Sequence, residues 1–181
     1  TNHLTPDEFI DAIDDALPLQ SLSLMNVSMK IAARRVELTR RLFSTADSGQ
    51  GELRERSHSL AQALQVLGMR LTKAGRFDEA IRAGEEAVTL HRALVDAGHD
   101  MSSDLAVSLN ALSNMLSHVR RDEEALAASE ESVAIFRRLA ETNSDVRSKL
   151  ASTLNNLGGT LSQLGRRAEA LRAFELAAAC A

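Results

Sequence analysis

Apolar residues recur along this chain at intervals of three and four, the spacing that places them on one face of an α-helix. Between residues 21 and 46, Leu24, Val27 and Ile31 begin one such series, and arginines fill the opposite face. A shorter series before it ends near Pro18. Signals for β-strands do not appear, so the pattern predicts an all-α chain.

The same apolar pattern returns three times at a fixed period of 45 residues. Ala80, Ala125 and Ala170 each follow a glutamate and precede an isoleucine or a leucine, and they are 45 residues apart. A period of this size is typical of a solenoid, in which each unit buries its apolar face by stacking on the next. We therefore expect function to lie on a surface that crosses several units.

The repeat register divides the chain into an N-terminal part and three repeats. The predicted units are residues 1–49, 52–97, 98–142 and 143–181. Ser48-Gly49-Gln50-Gly51 separates the first two units, because paired glycines favour non-helical backbone. The N-terminal helical pair is either a cap or a degenerate repeat: Val36 and Arg40 align with Val88 and Arg92, but at a separation of 52.

Leucines, a small residue and an alanine hold fixed places in each repeat. The first repeat reads Leu64-x-x-Leu67-Gly68-x-x-Leu71 and then Ala80, and the third has Leu154, Leu157, Gly158, Leu161 and Ala170. These patterns resemble tetratricopeptide repeats. The resemblance implies about eight helices in antiparallel pairs, stacked as a right-handed superhelix. We expect the small residues where two paired helices approach closely.

Two departures from the usual pattern narrow the resemblance. The period exceeds the usual 34 residues by about three helical turns, so both helices of each unit are expected to be longer. Such repeats are similar to those of kinesin light chains and of large bacterial multidomain regulators. Aromatic residues are only 3% of the chain, with no Trp or Tyr. Leucine and alanine are therefore predicted to fill the core.

A second face of the first helix in each repeat is predicted to line a concave groove. The candidate groove residues are Gln62, Gln65, Met69, Asn110, Asn114, Asn155 and Asn156. Gln65, Asn110 and Asn155 stand at equivalent places, one in each repeat. Their side-chain amides can form hydrogen bonds with the backbone of an extended peptide. The alternative is that they are solvated or adjust helix packing. Because these places lack Lys and Arg, a ligand of mixed or basic character, or another helix, fits better than an acidic C-terminal tail.

Charge and composition exclude several classes of function. The net charge of -4 gives no basic footprint for nucleic acid. No apolar run is long enough to span a membrane, and no signal peptide begins the chain. The single cysteine, Cys180, cannot form an internal disulfide. We expect a cytoplasmic protein without nucleic-acid or membrane partners.

Catalytic and metal-binding motifs are weak in the sequence. The nearest approach to a ligand cluster is His91, Asp96 and His99, whose spacing does not suit a helical zinc pair. We expect no metal, no cofactor and no enzymatic activity. The leading hypothesis is a non-catalytic scaffold or sensor segment that binds a protein or peptide ligand in its groove.

The alternative hypothesis is a structural or oligomerisation module of a larger bacterial signalling or regulatory protein. It rests on the last repeat, which ends at Ala181 inside its predicted second helix and leaves an apolar face without a neighbour. Either a longer chain or self-association through that helix would cover the face.

Overall fold

The structure, a computed structural model, describes residues 22–44 and 50–180. In these two ranges it contains seven α-helices and one short 3-10 helix, and no strand. The α-helices are α1 (Leu22–Ser44), α2 (Gln50–Lys73), α3 (Phe77–Asp96), α4 (Ser102–His118), α5 (Asp122–Ala140), α6 (Arg147–Gln163) and α7 (Arg167–Cys180). The 3-10 helix, Ser144–Val146, precedes α6. The short helix predicted before Pro18 lies outside the described residues.

The helices follow the sequence period. The second helix of each pair begins at Phe77, Asp122 and Arg167, and the first helix ends at Lys73, His118 and Gln163, always 45 residues apart. We call α2 with α3 repeat 1, α4 with α5 repeat 2, and α6 with α7 repeat 3. Each helix packs mainly on the helices before and after it in the chain. The all-α solenoid predicted from the period is confirmed.

Small residues stand where the paired helices come closest. A Cβ added to Gly158 would lie 2.6 Å from the ring of Phe174 in the paired helix. One added to Gly68 would lie 3.3 Å from the carbonyl oxygen of Ala80 in its paired helix, and 2.6 Å from Met115 of the next repeat. In repeat 2 the same place holds Ser113, which is buried and donates to the carbonyl oxygen of Ala125 at 2.8 Å. The predicted reason for small residues at these positions is confirmed.

Leucine and alanine dominate the core, as expected. Of the nine leucines in the repeat pattern, only Leu67 is not fully buried. The largest fully buried side chain is nevertheless an aromatic ring, that of Phe136 in α5. Each repeat contributes to a continuous apolar layer, because its own two helices bury only part of their surface against each other.

The turn inside each repeat uses a left-handed residue. Gly75, Arg120 and Gly165 occupy equivalent places, with φ angles of 73°, 62° and 77°. Glycine adopts this conformation without steric cost, whereas a side chain with a Cβ is strained there. Repeat 2 therefore carries backbone strain that the other two repeats avoid.

Non-helical backbone was predicted for Ser48 to Gly51, and this prediction is wrong for the last two residues. Gln50 and Gly51 form the first turn of α2, while Ser48 and Gly49 lie outside the described residues. A glycine costs little in a first turn, because the amide groups there have no partner inside the helix. Helix α2 therefore begins at Gln50, inside the segment for which non-helical backbone was predicted.

The N-terminal helix α1 packs on repeat 1 with the geometry of a neighbouring repeat. Val36 is buried in a cluster with residues of α2 and α3. Arg40 of α1 pairs with Glu86 of α3, and Arg92 of α3 pairs with Glu131 of α5 at 2.8 Å. Each arginine thus reaches the second helix of the following repeat.

Candidate ligand groove and polar cluster

A hollow of about 390 Å³ opens between α2 and α4, the first helices of repeats 1 and 2. Its lining residues are Met69, Thr72, Lys73, Val107, Asn110, Ala111, Asn114, Met115 and His118. Three of the predicted groove residues therefore meet in one concave site. We call this site the groove hollow.

The lining of the groove hollow is mostly apolar, with neutral amides and one cationic side chain. Met69 is 49% exposed and Val107 is 37% exposed, which is high for apolar side chains on a packed helix. Asn110 and Asn114 add amide groups beside them, and Lys73 is the one Lys or Arg among the lining residues. The surface thus offers apolar contact and hydrogen bonds with little charge.

The amides of repeat 1 are already engaged within the protein. Gln62 is exposed on α2, and its amide nitrogen lies 3.0 Å from Nε2 of His58. Gln65 is half-buried and donates to the Oγ of Ser108 in α4. The latter bond links the first helices of two repeats, which is the packing role that the sequence left as an alternative.

The amides of repeats 2 and 3 divide between two surfaces. Asn156 donates to Oδ1 of Asn110 at 3.0 Å and so links α6 to α4. Asn155 is exposed and lines a separate hollow that also includes Arg147 and Cys180. Gln65, Asn110 and Asn155 therefore do not present three equivalent free amides.

A second site lies where repeat 1 meets repeat 2. His58 of α2, His91 of α3 and Asp104 of α4 bring two imidazole nitrogens and a carboxylate oxygen within 4.8 Å of one another. With Gln62 and Ser108 they form what we call the polar cluster. His91 is completely buried at 0% exposure, while His58 and Asp104 are half-buried.

Hydrogen bonds order the rings of the polar cluster. The Gln62 amide donates to Nε2 of His58 at 3.0 Å, so that ring carries its proton on Nδ1. His58 Nδ1 then donates to His91 Nε2 at 3.2 Å, and His91 Nδ1 donates to Ser108 Oγ at 2.7 Å. The chain of bonds crosses all three helices.

Burial sets the charge state of the central ring. Desolvation lowers the pKa of His91, and the charge of His58 acts in the same direction, whereas the carboxylate of Asp104 opposes them. Burial has the largest effect of the three, so His91 is neutral at neutral pH. A neutral imidazole keeps one nitrogen lone pair available to a hydrogen-bond donor or to a metal ion.

The equivalent contact between repeats 2 and 3 has different chemistry. Phe136 takes the place of His91 and is buried to 1% exposure. Lys149 takes the place of Asp104 and Ser103 that of His58, and the lysine donates to this serine at 3.4 Å. The repeat architecture thus does not require the histidines.

Sequence reasoning missed the polar cluster because its members come from three helices. The candidate set His91, Asp96 and His99 does not assemble: His91 turns inward, whereas Asp96 is exposed and His99 lies in a different hollow. One signal was present. In the 45-residue register His91 aligns with Phe136, a place that predicts burial, and a buried histidine needs partners.

The last helix exposes apolar side chains that the earlier repeats bury. Leu171 is 59% exposed, whereas the equivalent Ile81 and Leu126 are 4% and 5% exposed. Phe174 is also exposed, at the place of the buried Ser129, whereas the exposed Leu176 lies on another side of α7, at the place of Glu131. In repeats 1 and 2 the next repeat covers this face, and no described residue covers it in repeat 3.

None of the described helices is both long and apolar enough to span a lipid bilayer.

Sequence models of one family match most of the chain. Sequence models described as tetratricopeptide repeat match residues 60–100 and 104–181. Together these matches cover more than half of the chain. No curated protein sequence matches the chain significantly.

Solved structures show the same arrangement of helices at low sequence identity. A putative kinesin light chain from Podosopora anserina with nearly identical TPR-like repeats is 13% identical, with a TM-score of 0.56 over 98% of this chain and 97% of that one. The crystal structure of MamA is 16% identical, with a TM-score of 0.51 over 96% and 87%. At these identities the likeness shows the fold alone.

Proposed function

Because this chain belongs to the tetratricopeptide repeat family, whose stacked helices serve as protein-interaction scaffolds, we propose that it binds a peptide or helix of a partner protein in the groove hollow. The observation that carries the proposal is the exposed apolar surface of Met69 and Val107 beside two amides. The proposed role is non-catalytic.

An apolar side chain of the ligand is the proposed anchor. Met69 and Met115 line the groove hollow, and unbranched methionine side chains adapt to ligands of different shape. Covering Met69 and Val107 would remove apolar surface from water, which favours binding. A single anchor of this kind suits an extended peptide or one face of a helix.

Amides at the rim are proposed to hold the ligand backbone. Asn114 is exposed, and its side chain offers two donors and an acceptor. Asn110 uses its Oδ1 for Asn156 but retains its amide nitrogen for a ligand carbonyl. Neutral groups recognise backbone without selecting charge, so the proposed ligand is neutral or mixed at the contact. Lys73 alone does not form the cationic clamp that an acidic C-terminal tail needs.

Peptide display against the whole chain tests this proposal. A random peptide library selected on the protein should yield ligands with an apolar anchor, and their affinity should fall at least about tenfold in Met69→Glu and in the double variant Asn110→Ala with Asn114→Ala. Ala127→Glu is the matched control, because Ala127 is exposed on α5 away from the groove hollow. Ligands that bind Met69→Glu as well as the native chain would contradict the proposal.

A second candidate function is assembly through α7. Leu171 and Phe174, one turn apart on α7, form an exposed apolar surface, of the kind that marks interaction sites. Multi-angle light scattering over a concentration series should show self-association that Leu171→Glu removes. Leu38→Glu is the control, since Leu38 is an exposed leucine on α1. A monomer at all concentrations would exclude self-association by this face.

We also infer that α1 is the second helix of a degenerate repeat. Arg40 with Glu86 reproduces the pairing of Arg92 with Glu131, and Val36 is buried as Val88 is. A degenerate copy within residues 1–49 would then precede the predicted units 52–97, 98–142 and 143–181.

A further inference from the structure

We propose that the polar cluster is a binding site for a divalent transition-metal ion of the zinc class, held by His58, His91 and Asp104. The three ligand atoms lie within 4.8 Å of one another and come from three different helices. Two imidazoles and a carboxylate are a donor set that zinc favours, whereas calcium and magnesium prefer oxygen alone. This proposal does not depend on the ligand of the groove hollow.

The two nitrogens already have the separation that a metal ion needs. His58 Nδ1 and His91 Nε2 are 3.2 Å apart. Tetrahedral zinc with bonds of about 2.0–2.1 Å places neighbouring ligand atoms about 3.3 Å apart. Asp104 lies in the first turn of α4, where rotation about its side-chain bonds brings the carboxylate to the third position. A water molecule would take the fourth.

Each ligand ring has a partner for its other nitrogen. Ser108 Oγ lies 2.7 Å from His91 Nδ1, and the amide of Gln62 lies 3.0 Å from His58 Nε2. Bonds of this kind orient metal-bound histidines and select their tautomer. For Ser108 the required arrangement already exists, because His91 donates from Nδ1 and leaves Nε2 to face the ion.

Metal binding requires a shift of one proton within His58, together with small rotations of the ligand side chains. In the metal-free cluster the ring carries its proton on Nδ1, toward His91. With the ion bound to Nδ1, that proton resides on Nε2 and is donated to Oε1 of Gln62, whose amide turns over. The ion thus replaces the hydrogen bond between the two rings.

The register of the repeats argues that the polar cluster serves more than packing. At the contact between repeats 2 and 3, Phe136 fills the place of His91. Lys149 and Ser103 take the places of Asp104 and His58. A buried polar group costs free energy that a phenyl ring does not. The site is also reachable, since His58 is half-buried and Gln62 is exposed. An ion here would tie repeat 1 to repeat 2.

Titration of the whole chain with Co²⁺ and Zn²⁺ tests the site. We expect one ion per chain, visible-range absorption of tetrahedral Co²⁺, and a rise in melting temperature on addition of Zn²⁺. His91→Phe should abolish binding, and it should fold because repeat 2 has Phe136 at this place. His58→Gln, at a half-buried position, should weaken binding at least about tenfold.

Variants around the site separate ligation from general binding to histidine. Ser108→Ala should weaken Zn²⁺ binding by about 10–100-fold, as expected for loss of the group that orients a ligand. The matched control is His99→Ala, because His99 lies outside both the polar cluster and the groove hollow. Equal affinity in the native chain and in a folded His91→Phe or His58→Gln, or no binding tighter than about 1 mM, would overturn the proposal.

Discussion

Repeat 1 and repeat 2 have the same helices in the same register, yet they present different chemistry to the repeat that follows. Repeat 1 buries His91 against a serine and an acid, and repeat 2 buries Phe136 against an apolar layer. Both side chains are almost completely inaccessible to water. The comparison teaches that stacking requires a buried side chain of this size at this position. The chemical type of that side chain is free to vary and to serve another function.

The largest expected effect comes from removing the Phe136 side chain from the apolar contact between repeats 2 and 3. Phe136→Ala removes the largest fully buried side chain and should lower the free energy of unfolding by about 3–5 kcal/mol, because it loses apolar burial and leaves a cavity. Urea denaturation followed by circular dichroism measures the change. A loss below about 1 kcal/mol would mean that the contact between repeats 2 and 3 is loosely packed, and the contrast with repeat 1 would fail.

The next effect concerns hydrogen bonds inside the two contacts. Ser108→Ala should cost about 1–3 kcal/mol, because Ser108 accepts from both His91 and Gln65. The equivalent Thr153 bonds only to the carbonyl of Lys149 in its own helix. Thr153→Val should therefore cost less, under about 1 kcal/mol.

Chemical denaturation of the two variants side by side checks this order, in buffer with a chelator so that bound metal does not contribute. Equal losses in Ser108→Ala and Thr153→Val would show that the polar cluster contributes no more than a local helix bond. The two contacts would then differ in sequence but not in their contribution to the free energy of unfolding.

The turn of repeat 2 gives a smaller effect of opposite sign. Arg120→Gly relieves the left-handed strain that Gly75 avoids in repeat 1, and it should raise the free energy of unfolding by about 0.5–1 kcal/mol. Loss of the Arg120 bond to Asp122, whose side chain is only 12% exposed, subtracts part of this gain. Thermal unfolding measures the gain, and Gly75→Ala, expected to destabilise, is the control. A drop in melting temperature for Arg120→Gly would contradict the strain argument.

The smallest effect concerns the ion pair that joins the second helices of repeats 1 and 2. Arg92 holds Glu131 with two bonds of 2.8 and 3.0 Å, and the bond raises the pKa of the arginine. Because both side chains are partly exposed, we expect a coupling energy of about 0.2–1 kcal/mol that falls with added salt. A double-mutant cycle with Arg92→Ala and Glu131→Ala measures it. A coupling that salt does not change would argue against a solvent-screened pair.

Much of the fold was predictable from local pattern. The leucine series places Leu64, Leu109 and Leu154 inside, and all three are buried. The candidate groove was predictable in part. Met69, Asn110 and Asn114 meet in the groove hollow, but Gln65 and Asn156 turn to neighbouring helices. The amide partners were beyond reach because they depend on side-chain directions across repeats, which periodicity does not report.

The sequence by itself determined the period, the helices and the side of each helix that is buried, because these follow from residue spacing and from the need to cover apolar surface. Only the tertiary structure decided which residues from different helices meet. His58, His91 and Asp104 are far apart in the chain and adjacent in space. Helix packing sets that adjacency, and with it the donor set of the proposed metal site and the shape of the groove hollow.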